Sequence, residues 1–106
     1  MSAPESIRSL NDTARRDAQG SRVMITIGVQ RLGSVPEVLE AVRSFDSFTG
    51  GNDPDGEHDF GSVVVGGETS FWRLDYYDLS LQMASPDAAD PGITVRILAI
   101  MLAEDY

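Results

Sequence analysis

Gly66-Gly67 separates two runs of β-forming residues, and this punctuation constrains the fold more than any other feature of the chain. Both central positions of a type I′ hairpin turn need positive φ, which glycine adopts without steric penalty. Residues 60–65 and 69–78 therefore read as two antiparallel strands. Along the second, Trp72, Leu74 and Tyr76 share one face, and Phe71, Arg73, Asp75 and Tyr77 share the other. Aromatic surface on both faces predicts a strand interior to the sheet, with Trp72 in the core. Leu79, Leu81 and Met83 alternate again with their phase shifted by one, which predicts a further strand after a bulge near Tyr77-Asp78.

Helices are expected on either side. Residues 4–19 carry Pro4 in a first turn and Ile7, Leu10, Ala14 and Ala18 on one face, with Gly20 as a stop. Arginines 15, 16 and 22 read as a solvated face. Residues 22–29 alternate as a strand through Val23, Ile25, Ile27 and Val29. Ser34 and Glu37 have capping-box spacing before Val38, Leu39, Val42 and Phe45, predicting a helix over 34–46. Residues 85–91 form a turn, after which Asp90 is expected to cap, and Pro91 to open, a core helix over 93–103. The order is α-β-α-β-β-(β)-α. It predicts a single α+β domain over residues 1–106, with a small, mainly antiparallel sheet of three to four strands and about three helices.

Composition then excludes chemistry. The chain has eight arginines and no lysine, so a GxxxxGK[ST] phosphate loop and a Schiff-base lysine are both ruled out. It has no cysteine, hence no disulfide and no thiolate metal site. No apolar run approaches the roughly 18 residues that cross a bilayer. Pro4, Glu5 and Ser6 stand where a signal peptide would be apolar, so a cytoplasmic protein is expected.

The net charge of −9 is concentrated. Between positions 46 and 78, eight carboxylates (Asp46, Asp53, Asp55, Glu57, Asp59, Glu68, Asp75 and Asp78) face Arg73 alone, a net −7. Such a surface repels phosphates and attracts basic proteins. The expected partner is a basic protein of the nucleic-acid-binding kind, with no direct nucleic-acid or membrane contact. Asp53, Asp55, Glu57, Asp59, Asp75, Tyr77 and Asp78 are the candidate contact residues, tyrosine being favoured at hot spots.

Residues 49–59 lack periodicity and read as a loop. An EF-hand does not fit there: with Gly56 at the sixth position, the first and twelfth are Gly51 and Ser62, which carry no carboxylate. No metal and no cofactor is expected. His58, the one histidine, is the catalytic candidate, as a general base oriented by Asp59, Glu57 or Asp75. No GxSxG-type nucleophile accompanies it, and it reads rather as a brace before Phe60.

Several segments together carry a resemblance. They are Leu10-Asn11-Asp12 with Arg15, Asn52-Asp53-Pro54 running into Glu57-His58-Asp59-Phe60-Gly61, Leu74-Asp75-Tyr76-Tyr77-Asp78, and Ser85-Pro86-Asp87 through Asp90-Pro91 to Ala103. The chain resembles a family of small alphaproteobacterial proteins of unknown function, often found near plasmid and phage genes. The resemblance implies a mobile-element context and a bacterial cytoplasm, and carries over no catalytic role. Two expectations follow. The first is a small acidic interaction protein, a nucleic-acid mimic inhibiting a host defence complex of the CRISPR or restriction type. The alternative is a metal-dependent hydrolase built on His58 and the acidic loop, or an antitoxin or regulator that binds a basic partner.

Overall fold

The protein is described by a computed structural model covering residues 2–17 and 21–106. Helix α1 (Ala3–Asp17) opens on a reciprocal cap: the Glu5 amide donates to Ser2 Oγ at 3.3 Å, and that hydroxyl donates to the Glu5 carboxylate at 3.0 Å. The predicted stop at Gln19-Gly20 lies outside the described residues. Strand β1 (Ser21–Ile25) follows, then the short helix α2 (Ile27–Arg31) and helix α3 (Val35–Arg43). The hairpin β2 (Phe60–Val65) and β3 (Glu68–Tyr77) turns at Gly66 and Gly67, whose φ values of 60° and 82° are those of the expected turn. Strand β4 (Val95–Leu102) and a 3₁₀ turn (Ala103–Asp105) end the chain.

The sheet order is β1-β4-β3-β2, with β4 parallel to β1 and antiparallel to β3, and β2 antiparallel to β3. This is a small α+β fold with a mostly antiparallel open sheet. Register places Trp72 between Gly61 and Ile100, and Leu74 beside Leu98. These residues form the core with Ala14 of α1, Val29 of α2, and Val38 and Val42 of α3. Trp72 is fully buried, and a Cβ at Gly61 would stand 2.6 Å from its Nε1, so glycine is what admits the indole. The opposite face, bearing Phe71, Arg73, Asp75 and Tyr77, is covered by no helix of the described residues. There Tyr106 packs edge-on against Phe60 and Phe71.

Three local expectations are corrected. Residues 93–103 do not form the core helix; most of them are β4, the strand between β1 and β3. A strand buried on both faces loses its alternation, and a short apolar run then reads equally as a buried helix. Asp90 closes a turn instead of capping a helix, accepting from the Gly92 amide at 2.8 Å. The strand predicted over 22–29 stops at Ile25. Thr26 still donates to Ile100 O, after which the chain coils into α2 and buries Val29. Leu79, Leu81 and Met83 are not a strand: the Asp78 carboxylate takes the Ser80 hydroxyl at 2.8 Å and the Gln82 amide at 3.1 Å, folding the segment into a turn. Ala84 bridges back to Tyr77, flanked by the Asp78 amide donating to Met83 O and the Ser85 amide donating to Tyr76 O.

The second predicted helix begins as expected, with Pro36 in its first turn, but ends at Arg43. Ser34 directs its hydroxyl to Leu32 O at 3.5 Å instead of capping it.

Candidate functional site

Two separated segments meet in one polar cluster. On α1 the helical stripe of Asn11, Ala14 and Arg15 faces the core, and Asn11 and Arg15 are both fully buried. Burial of these groups requires partners, because an unpaired buried polar group costs stability. Arg15 Nη1 donates to the carbonyls of Val42, Arg43 and Phe45 at 2.8–3.2 Å, satisfying the end of α3. Its Nη2 donates to Asp12 Oδ1 at 3.1 Å, and the guanidinium lies over the Phe48 and Trp72 rings. The expectation that Arg15 belongs to a solvated face is thus overturned; Arg16 and Arg22 are exposed.

Asn11 Nδ2 donates to Glu57 O at 3.0 Å and to the Tyr76 hydroxyl at 2.8 Å, while its Oδ1 accepts from Arg96 Nε at 2.8 Å. One side chain therefore joins α1, the acidic loop, β3 and β4. Arg8 adds a bond from Nη1 to Gly56 O at 3.3 Å. Arg96 also donates through Nη2 to Ala88 O and lies over the Tyr76 ring. Burial holds both the Arg15 and the Arg96 guanidinium below the ordinary arginine value, and pushes the Tyr76 phenol up to about 12.

The loop itself is locally ordered. Asn52 Oδ1 accepts from the Thr49 amide at 2.7 Å, and Thr49 Oγ1 accepts from the Asn52 amide at 3.2 Å. Asp53 turns inward: its Oδ1 takes the His58 amide at 3.1 Å, and its side chain is 6% exposed. His58 adopts a φ of 55°, a left-handed conformation uncommon for a residue with a Cβ. Its ring stacks on Phe48 at 3.7 Å, with Nδ1 2.9 Å from Asp12 Oδ1 and Nε2 3.5 Å from Asp53 Oδ2. Both ring nitrogens thus face carboxylates, and one ring face is covered. Nδ1 is taken by Asp12, while Nε2 stands near Asp53 with no hydrogen bond between them.

The remaining carboxylates behave differently. Burial, and then Asp59, Asp55 and Asp53, raise the Glu57 carboxyl above its ordinary value. Burial, and then Asp53, Asp55 and Asp75, raise Asp59, a backbone hydrogen bond opposing them. The charges are close enough to repel one another. Even so, the described residues contain no group of three or more His, Asp or Glu placed to hold a metal ion.

The sequence-nominated contact residues therefore divide. Asp55, Glu57 and Asp59 share the loop, with Asp53 turned inward beneath them. Asp75 and Tyr77 lie on the helix-free sheet face, where Asp75 pairs with Arg73 at 3.0 Å. Asp78 is held in its turn, and the Ser80 hydroxyl is the first cause keeping its carboxyl below the ordinary range.

Sequence reasoning missed Asn11, Arg15, Tyr76 and Arg96 as the centre of the cluster. The available signal was positional: Ile7, Asn11 and Arg15 follow one another at four-residue spacing, so the buried stripe of α1 includes polar residues.

Residues 25–105 match the model of a family described as DUF3768, protein of unknown function, and the chain belongs to that family. No curated protein and no solved structure matches it. No helix of the described residues is long and apolar enough to cross a membrane.

Proposed function

We propose that this DUF3768 protein is a small acidic interaction protein that binds a basic protein surface through the loop carboxylates Asp55, Glu57 and Asp59, with Asp75 and Tyr77 on the helix-free sheet face as a second contact. One observation carries the reading: burial, and after it the neighbouring carboxylates, raise the Glu57 and Asp59 carboxyls, yet the acidic side chains of the loop do not converge as ligands of a point cation among the described residues. Mutual repulsion of this kind is relieved by positive charge. Carboxylates spread over a surface suit several arginine or lysine side chains of a partner better than one metal ion. Asp53 frames the loop from within. The narrower proposal is that the partner is a nucleic-acid-binding effector of a defence complex, in which these carboxylates occupy sites of phosphates. The hydrolase alternative gains no support from His58, both of whose ring nitrogens face carboxylates. An antitoxin or regulator would use the same acidic surface.

The test is affinity capture from the native cells, comparing the protein with the triple variant Asp55→Asn, Glu57→Gln, Asp59→Asn at low and high salt. A basic protein held by the wild type, lost at high salt and lost in the variant is the expected outcome, since exposed charge is screened by salt. Addition of duplex DNA or RNA should displace the protein if it imitates phosphates. Capture indifferent to both salt and the triple substitution would overturn the proposal.

A further inference from the structure

Arg96 is 5% exposed on the helix-covered face of β4, yet everything it bonds is neutral. Its Nε donates to Asn11 Oδ1, its Nη2 donates to Ala88 O, and the Tyr76 ring lies 5.1 Å away. Among the described residues its Nη1 makes no hydrogen bond, and no carboxylate stands within ion-pair distance of it. Arg15, the other buried arginine, has Asp12 at 3.1 Å. The contrast is informative in a chain with 17 acidic residues and 8 basic ones, where carboxylates are plentiful. Glu57 acts on Arg96 only from beyond ion-pair distance, so this buried cation offsets its desolvation less fully than a paired one does.

The same guanidinium lines a cleft of about 290 Å³ between α1 and the segment entering β4. Ser9 and Thr13 contribute hydroxyls from the exposed side of α1, and Leu10 and Pro91 contribute short apolar walls. Thr94 fixes the far wall, since its hydroxyl donates to Asp87 O at 2.8 Å and lies 2.7 Å from Ser85 Oγ. Arginine recognises carboxylates and phosphates through its N–H groups.

We propose that this cleft binds a small organic monocarboxylate, one oxygen accepting from Arg96 Nη1 and the short carbon chain lying against Leu10 and Pro91. Two features select this class over phosphate. A dianion meets twice the repulsion from a protein of net charge −9. The walls also offer apolar contact that a carbon chain can use and a phosphate cannot. Asn11 joins Arg96 to the acidic loop, but no carboxylate of that loop lines the cleft.

The test uses the full ¹⁵N-labelled chain titrated with sodium butyrate, against sodium chloride at matched ionic strength, with sodium phosphate as a further arm. Butyrate should give saturable shifts of the Arg96 Nε–H and of the Thr94 and Ser9 amides, with phosphate weaker. Thr13→Trp, placed at an exposed position of α1, fills the cleft and leaves Arg96 in place, and should weaken butyrate binding about tenfold or more. Arg96→Lys, where it folds, should weaken it as well. No saturable butyrate shift beyond the chloride control would overturn the site, as would binding that Thr13→Trp leaves intact. Phosphate binding tighter than butyrate would overturn the ligand class.

Discussion

Asn11→Ala deletes the side chain that joins α1, the acidic loop, β3 and β4, and its cost can be worked out group by group. The Glu57 carbonyl is partly exposed and can turn to water, so its loss counts for little. The Tyr76 hydroxyl loses a donor within a half-buried site, which by the cost of an unmade buried hydrogen bond is about 1–2 kcal/mol. Arg96 Nε is the larger loss, because it belongs to a buried cation whose remaining partners are Ala88 O and the Tyr76 ring. An unpaired buried donor on a charged group costs about 2–3 kcal/mol. Together these come to about 3–5 kcal/mol, a large part of the roughly 5–15 kcal/mol that holds an ordinary domain folded.

The assay is urea unfolding followed by the fluorescence of Trp72, the single tryptophan, which is buried in the core. With a slope of about 1–3 kcal/mol per molar urea, the midpoint should fall by roughly 2 M with the slope unchanged. Asn11→Asp should lose less, because its carboxylate still accepts from Arg96, but it cannot donate to Tyr76 and adds charge beside Glu57. A loss below about 1 kcal/mol for Asn11→Ala would refute the claim that this cluster anchors the loop, since it would mean that Arg96 Nε is satisfied without Asn11.

Three further outcomes follow from the same geometry. Arg15→Lys keeps the charge but lacks the planar fork that serves three carbonyls and Asp12; thermal denaturation should show a loss of about 2–4 kcal/mol, and wild-type stability would mean that a point charge suffices. Gly61→Ala places a Cβ 2.6 Å from Trp72 Nε1 and should cost about 1–3 kcal/mol with a shifted Trp72 emission; unchanged emission and stability would contradict the close approach. Glu57 and Asp59 carry raised folded-state pKa values, so the native protein holds more protons than the unfolded chain just above the ordinary carboxylate range, and their contribution lowers stability as pH rises through that window. Glu57→Gln with Asp59→Asn should therefore stabilise the protein at neutral pH and flatten that part of the stability–pH curve, and an identical slope in both proteins would count against the burial of these two carboxyls.

Local turn chemistry and alternation were readable where one physical rule dominated. Gly66-Gly67 gave the hairpin because two positive φ values leave few alternatives, and Trp72 read as core because its strand alternates. The last strand was not readable. Leu98 and Ile100 face the helix-covered core while Ile97 and Met101 face the other side, where Phe71 and Tyr106 pack; apolar residues on both faces remove the period that separates strand from helix. The passage from β1 into α2 failed for a related reason: Ile27 and Val29 continue the alternation, while tertiary packing of Val29 decides for a helix. The polar cluster is built from contacts across 27 to 85 residues of sequence, such as Arg15 to Val42 and Asn11 to Arg96. Periodicity can show that Asn11 and Arg15 share the buried face of α1, but it says nothing about which carbonyl or hydroxyl they meet.

That cluster also bears on the origin of the surface charge. Arg8, Arg15 and Arg96 all donate to backbone carbonyls: Gly56 O, the end of α3, and Ala88 O. Among the described residues, carboxylate ion pairs with arginine occur only at Arg15–Asp12 and Arg73–Asp75. His58 in turn engages Asp12 and Asp53, the two acids nearest the frame of the loop. The positive groups therefore hold the chain's irregular segments in place and do not neutralise its outer carboxylates. Asp55, Glu57 and Asp59 form no arginine ion pair among the described residues, on a loop that Asn11 and Arg8 hold by its backbone. An acidic patch on a braced loop loses little conformational entropy when a partner arrives, which is the condition under which modest charge complementarity becomes specific binding.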